Sequence, residues 1–139
     1  MHKNNGACES CLAIITRFPG FDSQLAEWFL SLQKLHPELH TSCAGRNQID
    51  QEAAFSRGAS KAHWGESAHS WNCALDLFEL KDGKYTLDED WFRVVIGANL
   101  RPFVRWYGLP GSLYKELPHV EIANWRTLAK SGKISLVKG

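Results

Sequence analysis

The stretch Ser67-Ala-His-Ser-Trp-Asn-Cys-Ala-Leu-Asp76 decides how this chain is read. It holds His69 and Asp76, seven residues apart. A straight helix would put both on one face but roughly 10 Å apart, at 1.5 Å per residue. A straight strand would point them to opposite faces. Neither regular element lets both touch one small object. A turn between them does, and Ser70-Trp71-Asn72 has turn composition. The pair is either coincidence or two ligands folded back onto a common centre.

Outward from this stretch, the chain alternates recognisable elements. Residues 21–38 place Leu25, Trp28, Phe29, Leu32 and Leu35 at helical spacing, with Asp22 or Ser23 as the cap and Pro37 as the stop. Leu39 to Cys43 reads as a short strand, and residues 47–58 as a second helix stopped by Gly58. Residues 59–72 carry no clean period and read as a loop, long enough to suggest function. A strand is expected over 73–80, then a turn at Lys81-Asp82-Gly83-Lys84. Thr86 to Glu89 reads as a capping box, opening a helix that turns Trp91, Phe92, Val95 and Ile96 inward. Strands over 102–108 and 119–122 and a terminal helical turn ended by Gly132 complete the pass. Helices and strands that do not alternate regularly predict an α+β fold with a small, mainly antiparallel sheet.

The 139 residues suffice for one domain with a real core, spanning residues 1–139. Apolar residues make up 44% and charged residues 22%, an ordinary globular balance. A formal charge of +1 gives no field to draw the chain to nucleic acid or an acidic membrane. No apolar run is long enough for a transmembrane segment. The N-terminus lacks a long apolar core and an A-x-A-like site, so no signal peptide is read and a cytoplasmic monomer is expected. Four cysteines, at 8, 11, 43 and 73, are then expected to be reduced. Cys8 and Cys11 form a C-x-x-C pair without a second half, which leaves spectator thiols, a structural metal and a disulfide open.

A second cluster lies near the C-terminus. Pro118 restricts Leu117 to extended geometry, which places Glu116 in the loop before a strand beginning at His119. Glu121 then shares a strand face with His119. Two imidazoles and one carboxylate (His69, His119 and Asp76) suit a catalytic zinc with one open position. A carboxylate that is not a ligand can take a proton from water. From spacing alone, surface histidines and a solvated carboxylate remain the default, since the helical H-E-x-x-H is absent.

The residues also resemble a known family. SAHSWNCALD is similar to the S-x-H-x-x-G-x-A-x-D motif of zinc peptidases acting on bacterial peptidoglycan peptides, matched by Ser67, His69, Ala74 and Asp76. The family includes D-alanyl-D-alanine carboxypeptidases, the D,D-dipeptidases of vancomycin resistance and phage L-alanyl-D-glutamate endopeptidases. Glu116 to Ile122 resembles its second motif, an acid, two residues, then H-x-E. Residues 41–60 resemble its G-x-R segment and the Gln-containing helix after it. The likeness runs from about His40 to Ile122.

The resemblance implies the small α+β fold shared by bacterial D,D-peptidases and the hedgehog signalling domain. It implies one catalytic zinc on His69, Asp76 and His119, with Glu116 as general base. Arg46 would hold a substrate carboxylate or polarise the scissile carbonyl. Ser67 would bond near the metal or in a local turn. Glu121 would orient a ligand histidine, and is the competing base. The chain departs from the motif at Asn72, where the family has glycine, though asparagine tolerates left-handed backbone. Cys73 is either a fourth ligand or strand core. The loop 59–67 could edge an open groove, with Trp64 as an apolar wall or packed inward. Together these imply a phage endolysin cutting L-alanyl-D-glutamate bonds, held in the cytoplasm until released to the wall. The alternatives are a D,D-carboxypeptidase or dipeptidase and a non-catalytic zinc-bearing wall-binding module.

Overall fold

The computed structural model describes residues 8–109 and 116–137. Helix α1 (Glu9–Thr16) and helix α2 (Ser23–Leu35) precede strand β1 (Leu39–Cys43) and helix α3 (Gln48–Ser56). A 3-10 turn (Ala68–Trp71) leads into β2 (Ala74–Lys81), β3 (Lys84–Thr86) and helix α4 (Glu89–Val95). Strands β4 (Val104–Tyr107) and β5 (Glu116–Ile122) and helix α5 (Trp125–Lys130) come after. The sheet runs β1-β2-β5-β4, with β3 also paired to β2, and all its pairings are antiparallel. The expected α+β class with a small antiparallel sheet is what the chain forms.

β2 is the organising strand because its neighbours divide its length. β1 pairs along Asp76 to Glu79. β5 pairs along Ala74 to Asp76 and β3 along Glu79 to Lys81. Period-two alternation then sorts side chains. Leu75 and Leu77 of β2, with Val120 and Ile122 of β5, are fully buried in a core shared with Leu25, Phe29 and Phe92 from α2 and α4. Asp76, His119 and Glu121 belong to the other face. The β2–β3 turn has left-handed Asp82 (φ 51°) and Gly83 (φ 76°), the two-residue loop that matches strand twist.

Several local expectations change. Helix α1 is absent from the sequence reading: its apolar run is short, and only Cys11 and Ile15 are buried along it. Leu35 fits the periodicity of α2 but is 75% exposed, because α2 ends there. Helix α4 is capped by Asp88, whose side chain accepts from Trp91 N–H at 3.0 Å, so Thr86 to Glu89 is not a capping box. Thr86 is instead the last residue of β3, its hydroxyl bonded to Glu79 at 3.0 Å. No described helix is long and apolar enough to cross a membrane.

Candidate functional site

His69 and Asp76 are united by the turn before β2. Ser67 accepts from the His69 N–H at 3.2 Å and starts the 3-10 turn; Asn72 ends it in the left-handed region (φ 60°, ψ 32°). The chain thereby reverses, and His69 Nε2 comes within 3.2 Å of Asp76 Oδ1. Asn72 takes this backbone where the related motif has glycine. Its side chain lies beside Gly45, where an added Cβ would sit 2.6 Å from Asn72 Oδ1 and 2.9 Å from the Phe18 ring. Gly45 is thus required for close approach, and it delivers Arg46 to the site, where the Arg46 N–H donates to His69 O at 3.0 Å.

Asp76 and His119 meet because they are direct cross-strand partners. Side chains at such positions lie about 4.5–5.5 Å apart at Cβ. His119 Nδ1 is 3.4 Å from the same Asp76 Oδ1, and the two imidazole rings are edge to face at 5.1 Å. The far nitrogens of both rings are also fixed. His69 Nδ1 lies 2.6 Å from the Ala44 carbonyl oxygen, and His119 Nε2 lies 2.7 Å from Glu121 Oε1. In the neutral imidazoles each acceptor selects the tautomer whose lone pair faces Asp76, as an ion there requires; without an ion the His69 nitrogen carries a proton against the carboxylate. Glu121 is in turn held by Trp125 Nε1 at 3.1 Å and the Tyr107 hydroxyl at 3.3 Å.

This convergence sets the electrostatics. Burial disfavours a charged His69, but the Asp76 carboxylate and the Cys43 sulfur together outweigh it and raise the imidazole pKa to about 10. Burial likewise opposes a charged His119, and Asp76 and Glu121 still move its pKa upward. Burial works against ionisation of Asp76, yet His69 and His119 hold it far below the ordinary carboxylate range. Such an acceptor between two imidazoles is a place that gathers positive charge.

A cleft of about 530 Å³ opens over these groups. It is lined by Arg46, Ser67, His69, Asp76, Glu116, His119 and Glu121, so every sequence-derived site residue reaches one cavity. Glu116 is the first residue of β5 rather than part of a preceding loop, paired with Tyr107 at an irregular step in the β4–β5 register. Pro118 does not keep it out of the strand. The loop supplies Gly58 to Ala62 and Glu66 to Ala68 as one wall, but Trp64 is half-buried and does not line the cleft.

The sequence reading did not single out Gln51, Cys43 or Ala44. Gln51 is fully buried on α3. Its Oε1 accepts from Arg46 Nη1 at 3.0 Å, and its Nε2 donates to Ala62 O at 2.7 Å and Ser60 Oγ at 3.0 Å. One amide therefore fixes both the guanidinium and the cleft wall. A register shift between Thr41 and Cys43 brings Cys43 opposite Asp76, and Cys43, His69 and Asp76 form a group whose donor atoms lie within 4.8 Å of one another. Cys43 Sγ approaches His69 from the Nδ1 side, at 3.8 Å, and accepts from Arg46 Nη2 at 3.6 Å. That nitrogen already faces the Ala44 carbonyl, so His119 is the better third partner for the lone pair of Nε2. Cys73 is a core thiol, pushed up to about 12 by burial, and belongs to no cluster of ligating side chains among the described residues.

The crystal structure of the L-Ala D-Glu endopeptidase ChiX from Serratia marcescens superposes on this chain with a TM-score of 0.68 at 17% identity, covering 86% of this chain and 90% of that one. The two share a fold. No protein-family model matches the chain, and no curated protein matches it in sequence.

Proposed function

We propose that this protein is a zinc-dependent peptidase that hydrolyses the L-alanyl-D-glutamate bond of peptidoglycan stem peptides, as a phage endolysin. The observation that carries the reading is the convergence of His69 Nε2 and His119 Nδ1 on Asp76 Oδ1, with each far ring nitrogen tied to a carbonyl or carboxylate oxygen. Metal-binding histidines have this outer arrangement, and a donor set of two imidazoles and a carboxylate in an open cleft fits a catalytic zinc. The motif resemblance supports a peptidoglycan peptidase, and the shared fold with an L-Ala D-Glu endopeptidase agrees with the bond chosen.

In this reading His69, Asp76 and His119 hold the ion. Zinc bound there would supply Lewis acidity toward a carbonyl oxygen and toward water. Glu116, at the cleft wall, accepts the proton of the attacking water and returns it to the leaving amine. Arg46 presents its guanidinium beside Asp76 Oδ2, at 3.6 Å, where it meets an oxygen of the substrate. Glu121 keeps the His119 tautomer.

Mass spectrometry of products from purified peptidoglycan tests the proposal. New N-termini on D-glutamate are expected, without accumulation of free D-alanine. Release of D-alanine or D-alanyl-D-alanine with the L-alanyl-D-glutamate bond intact would assign a carboxypeptidase or dipeptidase instead. No cleavage by fully zinc-loaded protein would favour a wall-binding module. His69→Ala, Asp76→Ala and His119→Ala should each lose most of the ion.

A further inference from the structure

A second cluster of soft donors lies between α1 and β1. Cys8 stands just before the first residue of α1, Cys11 sits one turn on, and His40 projects from β1; all three are buried, and their donor atoms lie within 4.8 Å of one another. Cys11 Sγ is 3.4 Å from His40 Nδ1. With metal–sulfur and metal–nitrogen bonds of about 2.3 and 2.0–2.1 Å, a tetrahedral zinc sets that edge at roughly 3.6 Å. The imidazole is held against the Phe78 ring, centroids 5.6 Å apart and 24° from parallel. Gln33 is fully buried beside the cluster: its Oε1 takes the Cys8 N–H at 3.3 Å, and its Nε2 donates to Cys11 Sγ at 3.5 Å and Leu39 O at 2.7 Å. A buried N–H aimed at sulfur suits a metal-bound thiolate far better than a neutral thiol, a weak acceptor.

We infer that Cys8, Cys11 and His40 form a second metal site, which takes one thiophilic dication of the zinc type, with a water as fourth ligand, and clips α1 to β1. Two thiolates, a neutral imidazole and a dication sum to zero charge, the state a buried site tolerates. Binding releases two thiol protons to solvent and moves no electrons. Helix α1 has eight residues, too short to be stable alone, so a covalent-strength tie to the sheet gives it a fixed place. This site is independent of the proposed peptidase site, whose three donors contain no sulfur.

Anaerobic titration of the metal-free, reduced protein with Co²⁺ separates the two. The parent should take up two ions, one with sulfur-to-cobalt charge transfer in the near ultraviolet. That band should persist in His69→Ala/His119→Ala and in Cys43→Ser, and be lost in Cys8→Ser and His40→Ala. Should Cys8→Ser fail to fold, alkylation of the parent mapped by mass spectrometry gives the answer, since zinc should protect Cys8 and Cys11 together. A parent without the band, a band lost only with Cys43→Ser, thiols alkylated equally with and without zinc, or a Cys8–Cys11 disulfide in freshly purified protein would overturn the inference.

Discussion

Replacing Glu121 by glutamine removes one charge without changing shape, and the loss falls on a fully used carboxylate. Both oxygens are acceptors: Oε1 from His119 Nε2 at 2.7 Å, Oε2 from Trp125 Nε1 at 3.1 Å and the Tyr107 hydroxyl at 3.3 Å. Glutamine offers one acceptor and one donor. If its oxygen stays on His119, its NH₂ faces the indole N–H and leaves that buried donor unsatisfied, which costs about 1–3 kcal/mol. If the amide turns over, its NH₂ faces His119 Nε2 and drives the proton to Nδ1. His119 then presents N–H where a lone pair is needed. The Tyr107 hydroxyl can rotate to accept and softens the first case only. Zinc affinity should therefore fall about 10–100-fold, or roughly 1.4–2.8 kcal/mol. Competition with a chromophoric chelator measures it, with the melting temperature of the metal-free protein as the companion reading. A variant that binds zinc as tightly as the parent and melts with it would refute the assignment of Glu121 as the orienting acceptor.

Glu116→Gln should keep the zinc while the turnover rate falls on the order of 10²–10⁴-fold; if Glu121→Gln abolishes turnover and Glu116→Gln does not, the base is Glu121. Arg46→Ala should raise KM or lower kcat with zinc content unchanged, and because Gln51 Oε1 then loses its donor, the cleft wall should become more protease-sensitive at residues 58–62. Metal uptake should release protons: the His69 pKa, raised to about 10, means that its proton must leave whenever the ion binds below that pH. Affinity should thus rise by about tenfold per pH unit for each proton displaced, and weaken as pH falls. Calorimetry of the Cys8→Ser variant in buffers of different ionisation enthalpy counts those protons free of the thiol cluster, and a count of zero would remove His69 from the ligand set.

The fold was legible where a pattern had one meaning. The 21–38 periodicity, the Leu39 strand and the Asp82-Gly83 turn all have local causes, and the structure has each of them. The turn that unites His69 and Asp76 was legible too, because seven residues permit no regular element to do it. What escaped depends on partners distant in sequence. Helix α1 forms against β1, so its own eight residues do not announce it. Leu35 obeys the period of α2 but has no neighbour to bury it. Cys43 enters the neighbourhood of Asp76 through a register shift, which no single-strand pattern encodes. The resemblance pointed to a Gln-containing helix after Arg46, and only the fold shows that the Gln51 amide bridges Arg46 to the loop.

The pairing of Asp76 with His119 across β2 and β5 bears on the order of events in folding. His69 and Asp76 are brought together by a local turn and can meet early. His119 arrives only after most of the intervening chain, including β3, α4 and β4, has found its place. Contacts of such sequence separation form late, after the loop-closure entropy has been overcome. A full ligand set is therefore a property of the finished sheet alone. The ion would join a completed frame, unlike the metal of a zinc finger, whose binding is its folding. The time course of zinc capture during refolding would then act as a clock for the last strand to dock.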